Sequence, residues 1–307
     1  MQVVYGVNSS YLFPALVSAY SIWKNASHPV DITIFGDKFG HRDHDFIRQV
    51  GTRCGHAISV RNFDSSRFDE FSRTSQARFP AISLLPLVLP RLIEGRCLFL
   101  DADTLVLGDV WELLSSDLGG MPIGACIDAG QVRLSGKYLR TRKTHLMHTA
   151  KARNKRAAEI RRISSLGFIP GEQYFNSGVM VMDCDAIRES MDPDELSSQD
   201  GLRPFLNHWP DQDRLNEVFA GRWHQFPLKW NASTSIRKGR ILLTRNHWSG
   251  ALREQMHEAA NYPQIRHFMG SKKKPWTRSW RSFIGRKAYR DYAGVLREFE
   301  AKVGLNS

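Results

Sequence analysis

The chain is 307 residues long, 42% hydrophobic and 24% charged, with 43 Lys and Arg against 31 Asp and Glu, a net charge of +12. This composition excludes a disordered, collagen-like or low-complexity protein. The positive balance points to an anionic partner: nucleic acid, a membrane surface or a phosphate-bearing substrate.

Gln2–Val7 alternates and is β-prone, which predicts a first strand. Tyr11–Trp23 places apolar residues at helical spacing and predicts a helix after a short turn. Val30–Phe35 follows as a strand, Arg42–Val50 as a helix and Ala57–Phe63 as a third strand. Ser83–Glu94 reads as an apolar helix kinked at Pro90. Arg96–Leu100 is a buried strand that ends in Asp101-Ala102-Asp103, and Pro122–Ile127 is another. Strands alternating with helices predict an α/β domain with a largely parallel sheet. In the second half, Phe175–Asp183 reads as a strand. Asp211–Phe219 reads as a helix with acids in its first turn. Near the end, Tyr289, Tyr292, Leu296, Phe299 and Val303 form one apolar stripe on a helix.

The charge is localised. Between Gln131 and Leu166 eleven basic residues face one acid, and from Lys272 to Ser307 ten face three. The rest of the chain is mildly acidic. Cys54, Cys97, Cys126 and Cys184 are far apart, with no zinc spacing, and read as free thiols in a reducing compartment. The N-terminal residues do not read as a secretory signal. Phe79–Ile93, the most apolar stretch, contains Pro80, Pro86, Pro90 and Arg91 and is too short to span a bilayer. A membrane role is therefore expected to be peripheral. The NxS patterns at Asn8, Asn25 and Asn231 read as chance matches.

The pair Asp101 and Asp103 carries the most chemistry. Residues two apart in an extended backbone face the same way, so both carboxylates can reach one cation. Strand ends in open α/β sheets are where ligands bind. Oxygen donors suit Mg²⁺ or Mn²⁺ bridged to a phosphate. A polar turn closing a strand reads the same in so short a pattern. An aspartate-nucleophile phosphatase also uses a DxD strand end, but it follows the second Asp with glycine, and here Thr104 follows.

Five segments in order are informative together: LFLDADTLV, GEQYFNSGVMVMD, PDQDRLNEVF, FPLKWNA and HFMGSKKKPW. They resemble the retaining glycosyltransferases of family 8, which include lipopolysaccharide galactosyl- and glucosyltransferases and glycogen-priming enzymes. The resemblance runs from Val3 to about Trp276. It implies a GT-A fold, a Rossmann-like, mostly parallel sheet flanked by helices, that binds a UDP-sugar with Mn²⁺ or Mg²⁺. It implies Asp101, Asp103 and His267 as metal ligands and Lys274 at the diphosphate, with Gly270 allowing close backbone approach. Val7, Asn8, Ser10 and Ala102 fall at the nucleotide. Asn176 matches a contact to the donor sugar, and Asp128 an acid near sugar and acceptor. Asp211, Gln212 and Asp213 match the family's DQD: Asp211 holds sugar hydroxyls and Gln212 lies under the anomeric carbon. Retention then proceeds by front-face attack, with Gln212 stabilising the oxocarbenium ion and the leaving phosphate taking the acceptor's proton.

Three positions depart from the family pattern. Asn8 stands where an acid is usual, and Pro86 where an arginine reaches the donor. Three residues separate Gly270 from Lys274 where two are usual, which offers Lys273 as a substitute.

The expected organisation is a catalytic domain over 1–270, with the basic insertion 131–166 on the acceptor side, and a basic aromatic tail over 271–307. The tail mixes cations with Trp276, Trp280, Phe283, Tyr289 and Tyr292, which suits an anionic membrane surface. A helix packed on the body is the alternative reading. The insertion suits an acceptor bearing phosphates or acidic sugars. No nucleic-acid partner is expected. The functional expectation is transfer of galactose or glucose to a saccharide of a surface glycan, on the cytoplasmic face of the membrane. A GT-A-fold binding protein without turnover is the second class.

Overall fold

The computed structural model describes residues 1–68, 71, 80–128, 157–158, 161–162, 164–165, 167, 173–206, 208–234, 250–270, 274–277 and 286–305. Most of the basic insertion, Lys272, Lys273, Trp280 and Phe283 lie outside them.

The first strand, β1 (Gln2–Asn8), leads into α1 (Ser9–Asn25), then β2 (Asp31–Asp37), α2 (His41–Cys54) and β3 (Ile58–Asn62). Each pairing is parallel, with Val3 opposite Ile32 and Ile32 opposite Ile58. Gly55 ends α2 in the left-handed conformation at φ 77°, the usual use of glycine at a helix C-terminus. The expected helix over Ser83–Glu94 is shorter. Ala81–Leu84 forms a 3-10 turn, and α3 spans Leu85–Leu92 with Pro86 in its first turn, where proline needs no N–H partner.

The chain then crosses to the other side of β1. Strand β4 (Arg96–Leu100) pairs parallel to β1, and Val4 lies opposite Phe99. The sheet's connections run in opposite directions from β1 and β4, so a crevice opens beyond their carboxyl ends. Asn8 and Asp101 sit at those ends. β5 (Thr104–Val106), β6 (Ile123–Ile127) and β7 (Phe175–Asp183) follow, then β8 (Trp223–Gln225). The seven-stranded order is β3-β2-β1-β4-β7-β6-β8. Strand β7 runs antiparallel to both β4 and β6, so the sheet is mostly, not wholly, parallel.

Side chains alternate between two cores, as period-two strands require. Val3, Tyr5, Leu98 and Val181 pack with α1 on one face. Val4, Cys97, Phe99 and Met182 pack on the other with α3, α4 (Cys184–Ser190) and α5 (Pro210–Val218). The thiols of Cys97, Cys126 and Cys184 are free and buried.

Helix α6 (Gly250–Asn261) lies between β9 (Ala232–Ser233) and β10 (Ile265–His267), which join β5 in a small second sheet of order β5-β10-β9. The last helix, α7 (Arg286–Val303), carries the apolar stripe. Tyr292, Phe299 and Val303 are buried, and Phe299 sets its ring against Phe13 and Tyr20 at centroid distances of 5.8 and 5.7 Å. Tyr292 packs on Phe268 and Trp276, so its ring belongs to the core. Among the described residues no helix is long and apolar enough to cross a membrane.

Candidate active site

Strand β4 delivers Asp101 and Asp103 at its carboxyl end. The small sheet delivers His267: β10 pairs antiparallel to β5, with His267 opposite Thr104. Phe268 N–H donates to Asp103 O at 2.9 Å, which continues that pairing. One ligand atom from each of Asp101, Asp103 and His267 falls within 4.8 Å of the others. His267 Nε2 is 3.1 Å from Asp103 Oδ1 and 3.5 Å from Asp101 Oδ2. Asp103 and His267 are buried, whereas the Asp101 side chain is 45% exposed and faces the opening.

Lys274 completes the group. Its ammonium is paired with Asp103 Oδ2 and donates to Phe268 O at 2.9 Å. Burial alone would raise Asp103, but His267 and Lys274 outweigh it and hold the carboxyl well below the usual range. Burial works against a charged His267, yet the charge of Asp103 and the hydrogen bonds to both carboxylates push it up to about 9. Two carboxylates and an imidazole form a hard, mainly oxygen donor set that fits an octahedral divalent cation such as Mn²⁺ or Mg²⁺. Lys274 supplies the positive charge beside them.

The neighbouring side chains form one hydrogen-bonded chain. Asn176 Nδ2 donates to Asp128 Oδ2 at 3.2 Å and to Gln212 Oε1 at 2.9 Å. Gln212 Nε2 donates to Asp128 Oδ2 at 3.1 Å, and Ser177 N–H donates to Gln212 Oε1 at 3.1 Å. Ser177 Oγ donates to Asp211 Oδ2 at 2.8 Å. Burial pushes Asp211 up to about 7; the Ser177 bond opposes this and the charge of Asp101 adds to it. Helix α5 is held at this place by Asn216. Its amide pairs with both backbone groups of Phe175, at 2.8 and 2.9 Å, as a neighbouring strand would, and also donates to Gln212 O.

Asp213 meets this chain through Tyr174, whose hydroxyl bonds the side chains of both Asp213 and Gln212. Asp213 is wholly buried and accepts from Tyr174 Oη, from Arg162 and from Trp209 N–H. Burial raises its carboxyl despite Arg162 and Tyr174. Asp213 thus ties α5 to Arg162 of the basic insertion.

The expected residues are therefore brought together at one end of the sheet, with five refinements. Val7 is 1% exposed, so its side chain belongs to the core. Asn8 accepts from Ser10 Oγ at 2.7 Å at the mouth of the crevice. Pro86 is buried in α3. Lys274 itself, with no need of Lys273, reaches Asp103. Gly270 adopts φ 96°, so its glycine requirement is conformational as well.

Two further residues of the site do not stand out in the sequence. A Cβ on Gly178 would lie 2.4 Å from Asp101 Oδ2 and 2.4 Å from His267 Cε1. Asn231 Oδ1 lies 2.9 Å from His267 Nδ1. Both sit inside the motifs GEQYFNSGVMVMD and FPLKWNA, which is the one signal that could find them.

Among solved structures, the galactosyltransferase LgtC in complex with donor and acceptor sugar analogs superposes with a TM-score of 0.72 at 19% identity, covering 98% of this chain and 100% of that one. The sheet, its flanking helices and the acidic strand end define a glycosyltransferase of GT-A fold. The family model "Glycosyl transferase family 8" matches residues 2–279, and the chain belongs to that family. General stress protein A of Bacillus subtilis (strain 168) is 25% identical over 241 residues, 75% of this chain and 70% of that protein. Lipopolysaccharide 1,2-glucosyltransferase of Escherichia coli (strain K12) is 25% identical over 297 residues, 90% of this chain and 79% of that protein.

Proposed function

We propose that this glycosyltransferase moves galactose or glucose from a UDP-sugar to a saccharide of a surface glycan, such as lipopolysaccharide or capsule, with retention of configuration. The observation that carries the reading is the continuity of the site. The Asp101–Asp103–His267 cluster connects through hydrogen-bonded side chains to Asn176, Gln212 and Asp128.

Asp101, Asp103 and His267 hold a divalent cation, which when bound supplies charge to the departing diphosphate. Lys274 adds an ammonium on the same side. Asn176, Asp128 and Asp211 orient sugar hydroxyls. Gln212 stabilises positive charge at the anomeric carbon. Its carbonyl already accepts from Asn176 and Ser177, and an amide so engaged is a poor nucleophile. Asp213 is wholly buried; Tyr174 and Arg162 both bind its Oδ1, and Trp209 N–H donates to its Oδ2 at 3.3 Å, so each oxygen already has a partner. Both facts support front-face exchange. The bond from the anomeric carbon to the phosphate oxygen breaks, the acceptor oxygen bonds on the same face, and its proton passes to the leaving phosphate.

The acceptor is phosphorylated or acidic, matching the insertion over 131–166, and lipid-linked. The enzyme then works peripherally on the cytoplasmic face of the membrane, through the cations of its C-terminal segment. Because Tyr292 and Phe299 are core residues, that contact is electrostatic and made by the outward face of α7, where Lys287, Arg290 and Arg297 are exposed.

A panel of UDP-sugars with and without Mn²⁺ tests the reading. The expected result is Mn²⁺-dependent release of UDP from one sugar, and a product of unchanged anomeric configuration by NMR. Binding of none of them would overturn it. Binding without turnover would make the protein a sugar-nucleotide binder.

A further inference from the structure

One side chain of the FPLKWNA segment has no part in the chemistry above. Asn231 ends the 3-10 turn Leu228–Asn231 and is 2% exposed. Its Nδ2 donates to Asn176 Oδ1 at 2.7 Å, and its Oδ1 lies 2.9 Å from His267 Nδ1. It links the cation cluster directly to the sugar-side network.

The direction of each hydrogen bond follows from the fixed ends of the chain. A backbone N–H only donates, and Gly178 N–H donates to Asn176 Oδ1 at 3.1 Å. At the other end Ser177 N–H donates to Gln212 Oε1, so that oxygen accepts from Asn176 Nδ2. Both ends orient Asn176 the same way, with its oxygen toward Asn231. Only the NH₂ of Asn231 can meet that oxygen. Its carbonyl then faces the imidazole and accepts, so His267 Nδ1 carries a hydrogen. Nε2, which faces Asp103 and Asp101, is the ring nitrogen left to bind a cation.

We propose that Asn231 is a positioning residue. It fixes the ring of His267 with Nε2 toward the two carboxylates, and it locks the cation site to Asn176. A partner on the far nitrogen of a metal-binding histidine sets the ring's tautomer and orientation. The donor-side half of this role rests on the function proposed above; the hydrogen-bond directions do not.

The test is Mn²⁺ affinity of the full chain without sugar, read from the free-ion signal in electron paramagnetic resonance, with kinetics alongside. Asn231→Ala is expected to weaken Mn²⁺ binding by about tenfold or more. Asn231→Asp still accepts from Nδ1–H but cannot donate to Asn176. It is expected to keep Mn²⁺ affinity within about threefold of wild type, while kcat falls about tenfold or more. Thermal melting checks both variants, and the isosteric Asn231→Asp carries the test if Asn231→Ala does not fold. Three results would overturn the proposal: unchanged Mn²⁺ affinity in a folded Asn231→Ala, loss of Mn²⁺ by Asn231→Asp, or wild-type kcat in Asn231→Asp. A wild-type protein that binds Mn²⁺ with these changes in the variants but turns over no UDP-sugar would sink the function and leave the positioning role standing.

Discussion

Gly178 backs directly onto Asp101. The backbone of β7 donates no side chain there, and Asp101 N–H donates to Gly178 O at 2.8 Å. A methyl group in that place would meet both the Asp101 carboxylate and the His267 ring at 2.4 Å. The glycine is required by proximity and not by backbone conformation, because among the described glycines Gly178 has no positive φ. Gly178→Ala is therefore expected to push the cluster apart. Mn²⁺ affinity should fall by about tenfold or more, with a loss of stability of about 1–3 kcal/mol. An alanine variant that binds Mn²⁺ as tightly as wild type would show that the carboxylate can move freely.

The Asp213–Arg162 pair separates a positioning carboxylate from a nucleophile. Arg162 and Asp213 side chains are 9% and 0% exposed. Removing one partner of such a pair leaves a buried charge, and Arg162→Met should cost about 3–5 kcal/mol at neutral pH. The loss should shrink in acid, where Asp213 can neutralise itself. Asp213→Asn keeps the shape and loses only charge. Its kcat is expected to stay within about tenfold of wild type, whereas removing a covalent nucleophile costs several powers of ten. Steady-state kinetics on both variants decides this, and a collapse of kcat in Asp213→Asn would restore a covalent route through that residue.

The C-terminal helix is bound into the body of the protein. Phe299 is fully buried between Phe13 and Tyr20. Phe299→Ala should destabilise the protein by about 3–5 kcal/mol in denaturant unfolding. A loss below about 1 kcal/mol would instead describe a detachable tail.

The legibility of this protein in its sequence follows its periodicity. β1, β2, β4 and β7 are long, buried and bounded, and their ends match the pattern of apolar residues to within a residue or two. β5, β9 and β10 have two or three residues each, too few to show any period. Yet that small sheet is what brings His267 to Asp103, across more than 160 residues. From spacing alone His267 is an ordinary histidine, and only the family resemblance places it. Asn231 and Gly178 are visible as letters in motifs. Their roles depend on which atoms meet after β7 and β10 are laid beside β4, and no local pattern encodes that. The opposite case is Tyr292: its helical stripe is legible, but basic neighbours suggest a membrane where the fold supplies Phe268 and Trp276.

Asp211 makes the stability of the protein depend on pH. Burial, against the Ser177 hydrogen bond and with the help of the Asp101 charge, moves its carboxyl from 3.8 to about 7. A carboxyl raised on folding favours the folded state only while it is protonated. Its contribution is complete below pH 4 and is lost as the pH rises through 7. Asp211→Asn removes the ionisation and keeps the shape. With chelator present, the variant should match wild type near pH 4 and be the more stable protein at pH 8. A tenfold change in acidity corresponds to about 1.4 kcal/mol, which sets a ceiling of about 4 kcal/mol. Asp211 is only partly buried, so a gain of about 1–3 kcal/mol is expected after solvent screening. Melting curves from pH 4 to 8 measure it directly. If the two proteins run parallel across that range, Asp211 is ionised throughout, and the burial of its carboxyl carries no energetic consequence.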